Sequence, residues 1–467
     1  MTLKTTLLAG TVLGMSALAA GPAAAQATQG QIDALNKQIE ALQAQVRTLA
    51  DKVQKDVKAV DEKVSRMPNV SADGGRLRVR SADKAFDVAI RSRFHLDYGH
   101  WFPDNDNDTD YNDGFNVRRA RLGVAGTVFG DWGFEFTGDF AGERGSDALL
   151  QAANISYRGL ESWEFIVGLA KPKWGLEDST SSNDIPFMER APVVNIVTGN
   201  VGGADSRLLA GSQYSGERVF AAAYLTGART GEVLGDDEGN VLGRVAVKAW
   251  EDNFGTLGIG ATGAYKFAPQ APAGDAASLR FDDRPAIRIG ANRDRVTRSG
   301  TIGDVDSAYA YGADLAFTYQ SFWAGAEYYR FGAETDNAVA TAATPVDPEY
   351  SGWYAAAGYV LTGERRGYRD GAWRGVTPAW PAGQNGVGAV ELVARYSVVD
   401  LSDVGAFGSL NQGGLNGEET IWTFGVNWYA NSAIRFMLNY LMIENDRPGA
   451  LPDVETDAVG ARVQFQF

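Results

Sequence analysis

The sequence contains no cysteine, and only two histidines, His95 and His100, among 467 residues. Without thiols there is no disulfide and no thiolate metal site, and so long a thiol-free chain fits a compartment where stray thiols would be oxidised. A Ser-His-Asp hydrolase would have to use one of the two imidazoles. His95 lies on the polar phase of an alternating stretch, which suits a lumen wall better than a catalytic base. No enzyme activity, cofactor or metal is therefore expected. Positive charge is also short: the formal net charge is -15, which argues against nucleic acid as a partner. Finally, there is no apolar run of 18 or more residues, so no transmembrane helix is expected in the mature chain. A β-barrel remains open, because each strand needs only about 9–11 residues, half of them apolar.

Glycine is abundant at 56 residues, as are aromatics, with 18 Tyr, 22 Phe and 11 Trp. The chain starts with a short basic stretch (residues 1–4), an apolar run (7–20) and the small-residue stretch "GPAAAQA". This layout predicts a secretory signal over residues 1–25, cut after Ala25 or Ala27.

Residues 26–70 read as a periplasmic coiled-coil segment and linker. Ile32, Leu35, Ile39, Leu42, Val46, Leu49 and Val53 follow a 3-4-3-4-3-4 spacing, and Val57, Val60 and Val64 continue it after a stutter. A coiled coil means partner chains. β-branched residues at one core position with Leu at the other favour two strands. The alternative is a lone amphipathic helix lying on a barrel or membrane.

From about residue 71 to 467 the period becomes 2. In "FDVAIRSRFHLDY", Phe86, Val88, Ile90, Phe94 and Leu96 alternate with Asp87, Arg91, Arg93, His95 and Asp97. The same alternation recurs in "WGFEFTGDF", "LGIGATGAYKF", "FWAGAEYYRF", "IWTFGVNWYA" and the closing "VGARVQFQF". Roughly 390 residues at about 24 per strand and connection predict an all-β, antiparallel transmembrane barrel of about 16 strands. Trp163, Trp250, Tyr319, Trp428 and Tyr429 stand near strand ends, where aromatic girdles are expected. Short connections such as residues 431–433 contrast with the long ones "FPDNDNDTDYNDG", "GARTGEVLGDDEGN", "ETDNAVATAATPVDPE" and "YRDGAWRGVTPAWPAGQNG", which are expected outside. The acidic "DNDNDTDYNDG" lacks the glycine and glutamate of an EF-hand loop and reads as a solvated outer loop that bridges ions to lipopolysaccharide. The last strand, with Val463 and Phe465 toward lipid and Arg462, Gln464 and Gln466 toward water, is expected to close the barrel against its first.

Arg91 and Arg93 share a strand phase, as do Arg119 and Arg121, and Arg244 and Lys248. A charge facing lipid at mid-membrane costs roughly 2–4 kcal/mol, so these point inward. Lumen arginines favour anions; the alternative is a wall neutralised by Asp87, Glu135 and Asp139. Residues 280–298, with six Arg, read as a loop or mouth. Residues 171–194 hold three Pro and no strand period, so this long segment either projects outward or folds in to narrow the pore.

"VRRARLGVAGTVFGDW", "GLAKPKWGLEDSTSSNDIPFMER", "YVLTGERRGY", "VELVARYSVVDLSD" and "GVNWYANSAIRFMLNY" occur in this order. Together they resemble the phosphate-selective porin O and P family of Gram-negative outer membranes, from about residue 76 to the end. The resemblance implies a 16-stranded trimeric barrel, with an inward-folded constriction loop at about residues 171–200 and phosphate passing a ladder of arginines. It implies that Ser181, Ser182 and Arg190 are constriction-loop ligands and that Arg91, Arg93, Arg118, Arg119 and Arg121 belong to the ladder. Phosphate-selective members carry lysine three residues before the serine pair, where this chain has Asp178, and an acidic residue where it has Gln151. The functional expectation is passive diffusion of small anions, with outer-membrane lipid and lipopolysaccharide as surroundings. A weakly selective porin, or a barrel-anchored tether binding peptidoglycan through the coil, are the alternatives.

Overall fold

The computed structural model describes residues 22–72, 76–103, 111–141, 149–203, 206–229, 238–270, 277–289, 295–336, 347–403, 416–447 and 453–467, with side chains from Thr28 onward. Most of the expected signal segment, the acidic stretch 104–110 and much of the other long outer connections lie outside the described residues.

Two units are distinct, residues 1–67 and Pro68–Phe467. The first contains helix α1 (Pro22–Ser65). Its heptad positions, among them Leu35, Leu42, Leu49 and Val57, are all exposed and form one apolar stripe. No described helix is long and apolar enough to cross a membrane.

The second unit begins with two short strands, β1 (Asn69–Ser71) and β2 (Arg78–Arg80), so it starts slightly earlier than the residue 71 boundary read from the sequence. Its barrel strands run β3 (Asp87–Pro103), β4 (Gly114–Val128), β5 (Trp132–Asp139), β6 (Leu149–Tyr157), β7 (Trp163–Ala170), β8 (Arg207–Ser215), β9 (Val219–Arg229) and β10 (Gly239–Glu251). They continue as β11 (Gly255–Ala268), β12 (Val305–Tyr319), β13 (Phe322–Thr335) and β14 (Glu349–Val360). A two-residue-strand hairpin, β15 (Tyr368–Arg369) and β16 (Ala372–Trp373), precedes β17 (Ala389–Asp400), β18 (Glu418–Tyr429), β19 (Ile434–Asp446) and β20 (Val454–Gln466). Apart from β1, β2 and the hairpin, each strand pairs antiparallel with the next. β20 returns to β3 from Thr456↔Pro103 to Gln466↔Arg93, so 16 strands close on themselves. Closure leaves no sheet edge in lipid. The seam extends beyond β20: the Ser92 and Phe467 backbones pair, and β2 covers the rest of the β3 edge at Arg78↔Ala89 and Arg80↔Asp87.

The period of 2 sorts side chains as expected. On β20, Val463 and Phe465 are exposed on the outer wall, whereas Arg462 and Gln464 are buried inside. The connections after β4, β6, β8, β10, β12 and β18 are two to five residues long and define one rim. Trp163, Trp250, Tyr319 and Trp428 form an outward aromatic girdle there. Tyr429 does not: it is buried in the lumen and donates to Glu391 (2.7 Å), because it follows Trp428 by one residue and so takes the opposite phase.

The hydrophobic core lies inside the barrel. Residues 171–206, from the long-loop rim, carry helices α2 (Leu176–Ser179) and α3 (Pro192–Asn200), whose Leu176, Val193, Val194, Ile196 and Val197 are buried. The arginine-rich 280–298 region also folds in, burying Phe281, Ile287 and Val296. The connection 361–388 corrects an expectation. Its "YRDGAWRGVTPAWPAGQNG" was assigned outside with the long loops, yet it leaves from β14 and enters β17 at the short-turn rim and enters the lumen from there. Its Asp370-Gly371 pair has φ of 52° and 67°, the backbone of a tight hairpin turn, and the Gly371 carbonyl accepts from Arg244 (2.7 Å).

Candidate functional site: the lumen constriction

Residues 171–203 enter the lumen and are held by barrel-wall side chains. Gly175, at φ 72°, starts α2, and a Cβ there would collide with the Tyr329 hydroxyl. Glu327 accepts the Leu176 and Glu177 amides (2.6 and 2.9 Å) and the hydroxyls of Tyr329 and Tyr354 (2.7 and 2.8 Å). Glu177 in turn accepts the Ala191 amide (2.8 Å) and faces Arg395 (3.2 Å). The ends of two short helices, which cannot satisfy their own terminal amides, are thus satisfied by carboxylates.

Glu189 is the centre of charge. Arg118 binds both its oxygens (2.8 and 3.0 Å), Arg462 donates to it at 2.7 Å, and Arg119 and Arg288 stand 3.6 Å away. Burial alone would raise the Glu189 carboxyl, but Arg118, Arg119, Arg462 and Arg288 hold it well below the usual range. Arg118 and Arg119 are sequence neighbours and should face opposite ways on a regular strand. A register shift against His95/Leu96 turns both inward. Arg435 donates to the Ile185 carbonyl at 2.8 Å, and to those of Asn183 and Pro186 at 3.3 Å. The Arg395 guanidinium lies 4.4 Å over the Phe187 ring.

Arg93 behaves differently. It forks onto the hydroxyls of Ser182 (2.6 Å) and Ser181 (3.1 Å), and its Nε has no partner. Both serine oxygens act as acceptors in these bonds. His95 fixes the next residue through Asn183 (3.0 Å) and meets Arg119 at 3.3 Å. The other sequence candidates are neutralised: Arg91 stands 3.6 Å from Glu135, and Arg121 is 2.6 Å from Asp139.

Arg190 departs from its expected role as a solute ligand. Its guanidinium donates to the Glu177 and Thr180 carbonyls (3.0 and 2.8 Å) and cross-braces the loop from within. Asp178, expected in the path of the solute, is buried on α2 and ion-paired to Lys171 (2.6 Å). The residue types give no hint of this, because the fold of the segment aims them.

The inward connection 361–388 meets this loop. Arg366 and Glu391 form a fully buried fork (2.8–3.1 Å), and Arg366 also donates to the Asp184 carbonyl (2.6 Å). The Trp373 amide donates to the Thr180 hydroxyl (3.0 Å). Sequence reasoning did not single out Arg366, Arg395, Arg435 or Glu391. The last three share one signal, a charge on the non-lipid phase of a strand; Arg366, in a connection, has none.

A family model described as phosphate-selective porin O and P matches residues 88–467. An uncharacterized protein of Caulobacter vibrioides is 28% identical over 412 residues, 84% of this chain and 76% of that protein. Porin O of Pseudomonas aeruginosa is 24% identical over 423 residues, 84% of this chain and 91% of that protein. A solved structure of a loop L8 deletion mutant of OmpT, an outer membrane protein of Vibrio cholerae, aligns at 11% identity with a TM-score of 0.49, over 82% of this chain and 100% of that one.

Proposed function

The chain belongs to the phosphate-selective porin O and P family and is an outer-membrane porin, and we propose that it passes small anions, phosphate-type oxyanions among them, by passive diffusion. The Arg93–Ser181–Ser182 cluster carries this proposal. Arg93 makes no ion pair with any described residue, and two hydroxyl groups stand beside it. Guanidinium stays ionised and matches oxyanion geometry. Arg118, Arg119 and Arg190 shape the eyelet by fixing the loop, and the selectivity is electrostatic, with no energy input.

The homotrimer and cleaved signal implied by the family resemblance are part of this proposal, with α1 as an added association segment. Lipopolysaccharide surrounds the barrel at its long-loop rim. A second possibility, a weakly selective porin, is favoured by the ion pairs Arg91–Glu135, Arg121–Asp139 and Lys171–Asp178, which cancel charge along the wall.

Reversal potentials in planar bilayers separate the two. Chloride should permeate better than potassium, and phosphate should block chloride current. A charge-assisted hydrogen bond contributes about 1.5–3 kcal/mol, so Arg93→Ala should raise the half-blocking phosphate concentration roughly 10- to 100-fold. Potassium permeating as well as chloride would end the anion proposal.

A further inference from the structure

Immediately beyond Ser181 and Ser182, toward the short-turn rim, a cavity of about 220 Å³ opens between the loop tip, the 361–388 connection and the turn before β19. Asn183, Asp184, Arg374, Arg435, Gln464 and Gln466 are among its lining residues. At ~30 Å³ per water, it has room for a solute of several heavy atoms.

Its chemistry is mixed in a way that a bare oxyanion does not use. Two guanidinium groups line it: that of Arg374, which also pairs with Asp370 (3.0 Å), and that of Arg435, whose Nε has no partner among the described residues while the rest of the side chain is bound to loop carbonyls. Two acceptors also line it. Gln464 is nine-tenths buried and more, and its Nε2 donates to the Asn183 carbonyl (3.1 Å). That bond fixes which end of the amide is nitrogen, so the orphan is the Oε1, an acceptor with no partner among the described residues. The other acceptor is the Asp184 carboxylate, two residues beyond Ser182. A buried unpaired acceptor costs free energy that only a donor recovers. Inorganic phosphate at neutral pH offers few donors and repels Asp184. A solute with an anionic group for the arginines and hydroxyl groups for Gln464 and Asp184 complements these four side chains.

We propose that this cavity is a second solute subsite that favours hydroxylated organic anions, such as phosphate esters of small polyols, over bare phosphate, with Gln464 and Asp184 accepting from their hydroxyl groups. The proposal deepens the anion-porin function and rests on it.

The test uses the full chain in planar bilayers, with inorganic phosphate and glycerol 3-phosphate as blockers of chloride current. Glycerol 3-phosphate should half-block at a concentration about fivefold or more below that of phosphate. Asp184→Ala and Gln464→Met should each abolish this preference, while phosphate blocks at least as well as before. Two variants are needed because Gln464 also supports the loop; the Asp184 side chain makes no hydrogen bond to it. Equal half-block by the two solutes in the unaltered channel, or a preference that survives in both variants, overturns the subsite. Chloride-to-potassium selectivity is read on the same channels. Selectivity for chloride without the preference overturns the subsite alone, whereas selectivity for potassium overturns the anion function and the subsite with it.

Discussion

Glu189 sits among four guanidinium groups, those of Arg118, Arg119, Arg288 and Arg462. Removing one partner of a buried ion pair costs about 3–5 kcal/mol, because the charges left behind stay buried. Glu189→Gln should therefore loosen the loop rather than unfold the barrel, and single-channel records should show larger, noisier conductance. A steady wild-type trace from that variant would mean that Glu189 is dispensable. The brace also has a pH signature. A carboxyl held below its ordinary value contributes fully above that value and loses its contribution only as pH falls through the depressed one. Conductance noise should thus stay flat from neutral pH past 4.5, the ordinary glutamate value. Asp184 behaves in the opposite sense. Burial pushes its carboxyl up, against the pull of Arg366, Arg435 and Arg374, so acidification neutralises it earlier than an ordinary aspartate. Chloride-over-potassium selectivity should rise on mild acidification, and Asp184→Ala should remove that rise. The inward phase of Arg91, Arg93, Arg119 and Arg121 was legible from strand alternation, whereas Arg118 turns inward only through the register shift at His95/Leu96. That Arg190 braces the loop from within while Arg93 donates to Ser181 and Ser182 was not legible, since both are arginines beside the same serines.

Among elements, the connection 361–388 meets residues 171–203 inside the barrel. It is anchored by the Arg366–Glu391 fork and by the Trp373 amide on Thr180. Removing the β15–β16 hairpin should raise single-channel conductance without abolishing assembly, because no barrel strand is lost. Unchanged conductance would place the constriction elsewhere. Its length and polarity suggested an outer loop, but sidedness follows from counting strands, and only the observed strand boundaries give that count. The Asp370-Gly371 dipeptide was a hairpin signal already visible in the sequence. Helix α1 was legible from its heptads. Leu42→Asp with Leu49→Asp, two seam positions that are exposed in the single chain, should reduce association of the full chain in sedimentation if the helix pairs with copies of itself.

The whole molecule depends on closure. Phe467 pairs its backbone with Ser92 and packs its ring 5.7 Å from that of Phe465. Deleting Phe467 should lower the yield of assembled barrel in the membrane fraction. The channels that do assemble should conduct normally, because the residue lies at the seam and away from the lumen loop. The packed interior is unusual in origin: the barrel wall has lipid on one side, so the apolar groups of the inserted segments bury against one another in the lumen instead of against a second sheet.

The sequence by itself determined the period, and with it the fold class, the inward phase of most of the charged strand residues and the closing role of the last strand. These follow from local rules, since alternation needs only neighbours two residues apart and lipid excludes charge from one face. Only the tertiary structure decided which charge meets which. Glu189 meets Arg118 and Arg462, and Asp184 meets Arg366 through its carbonyl, across separations of 71, 273 and 182 residues. Pairing across such distances is set by barrel closure and by the paths of inserted loops, and no local pattern encodes it.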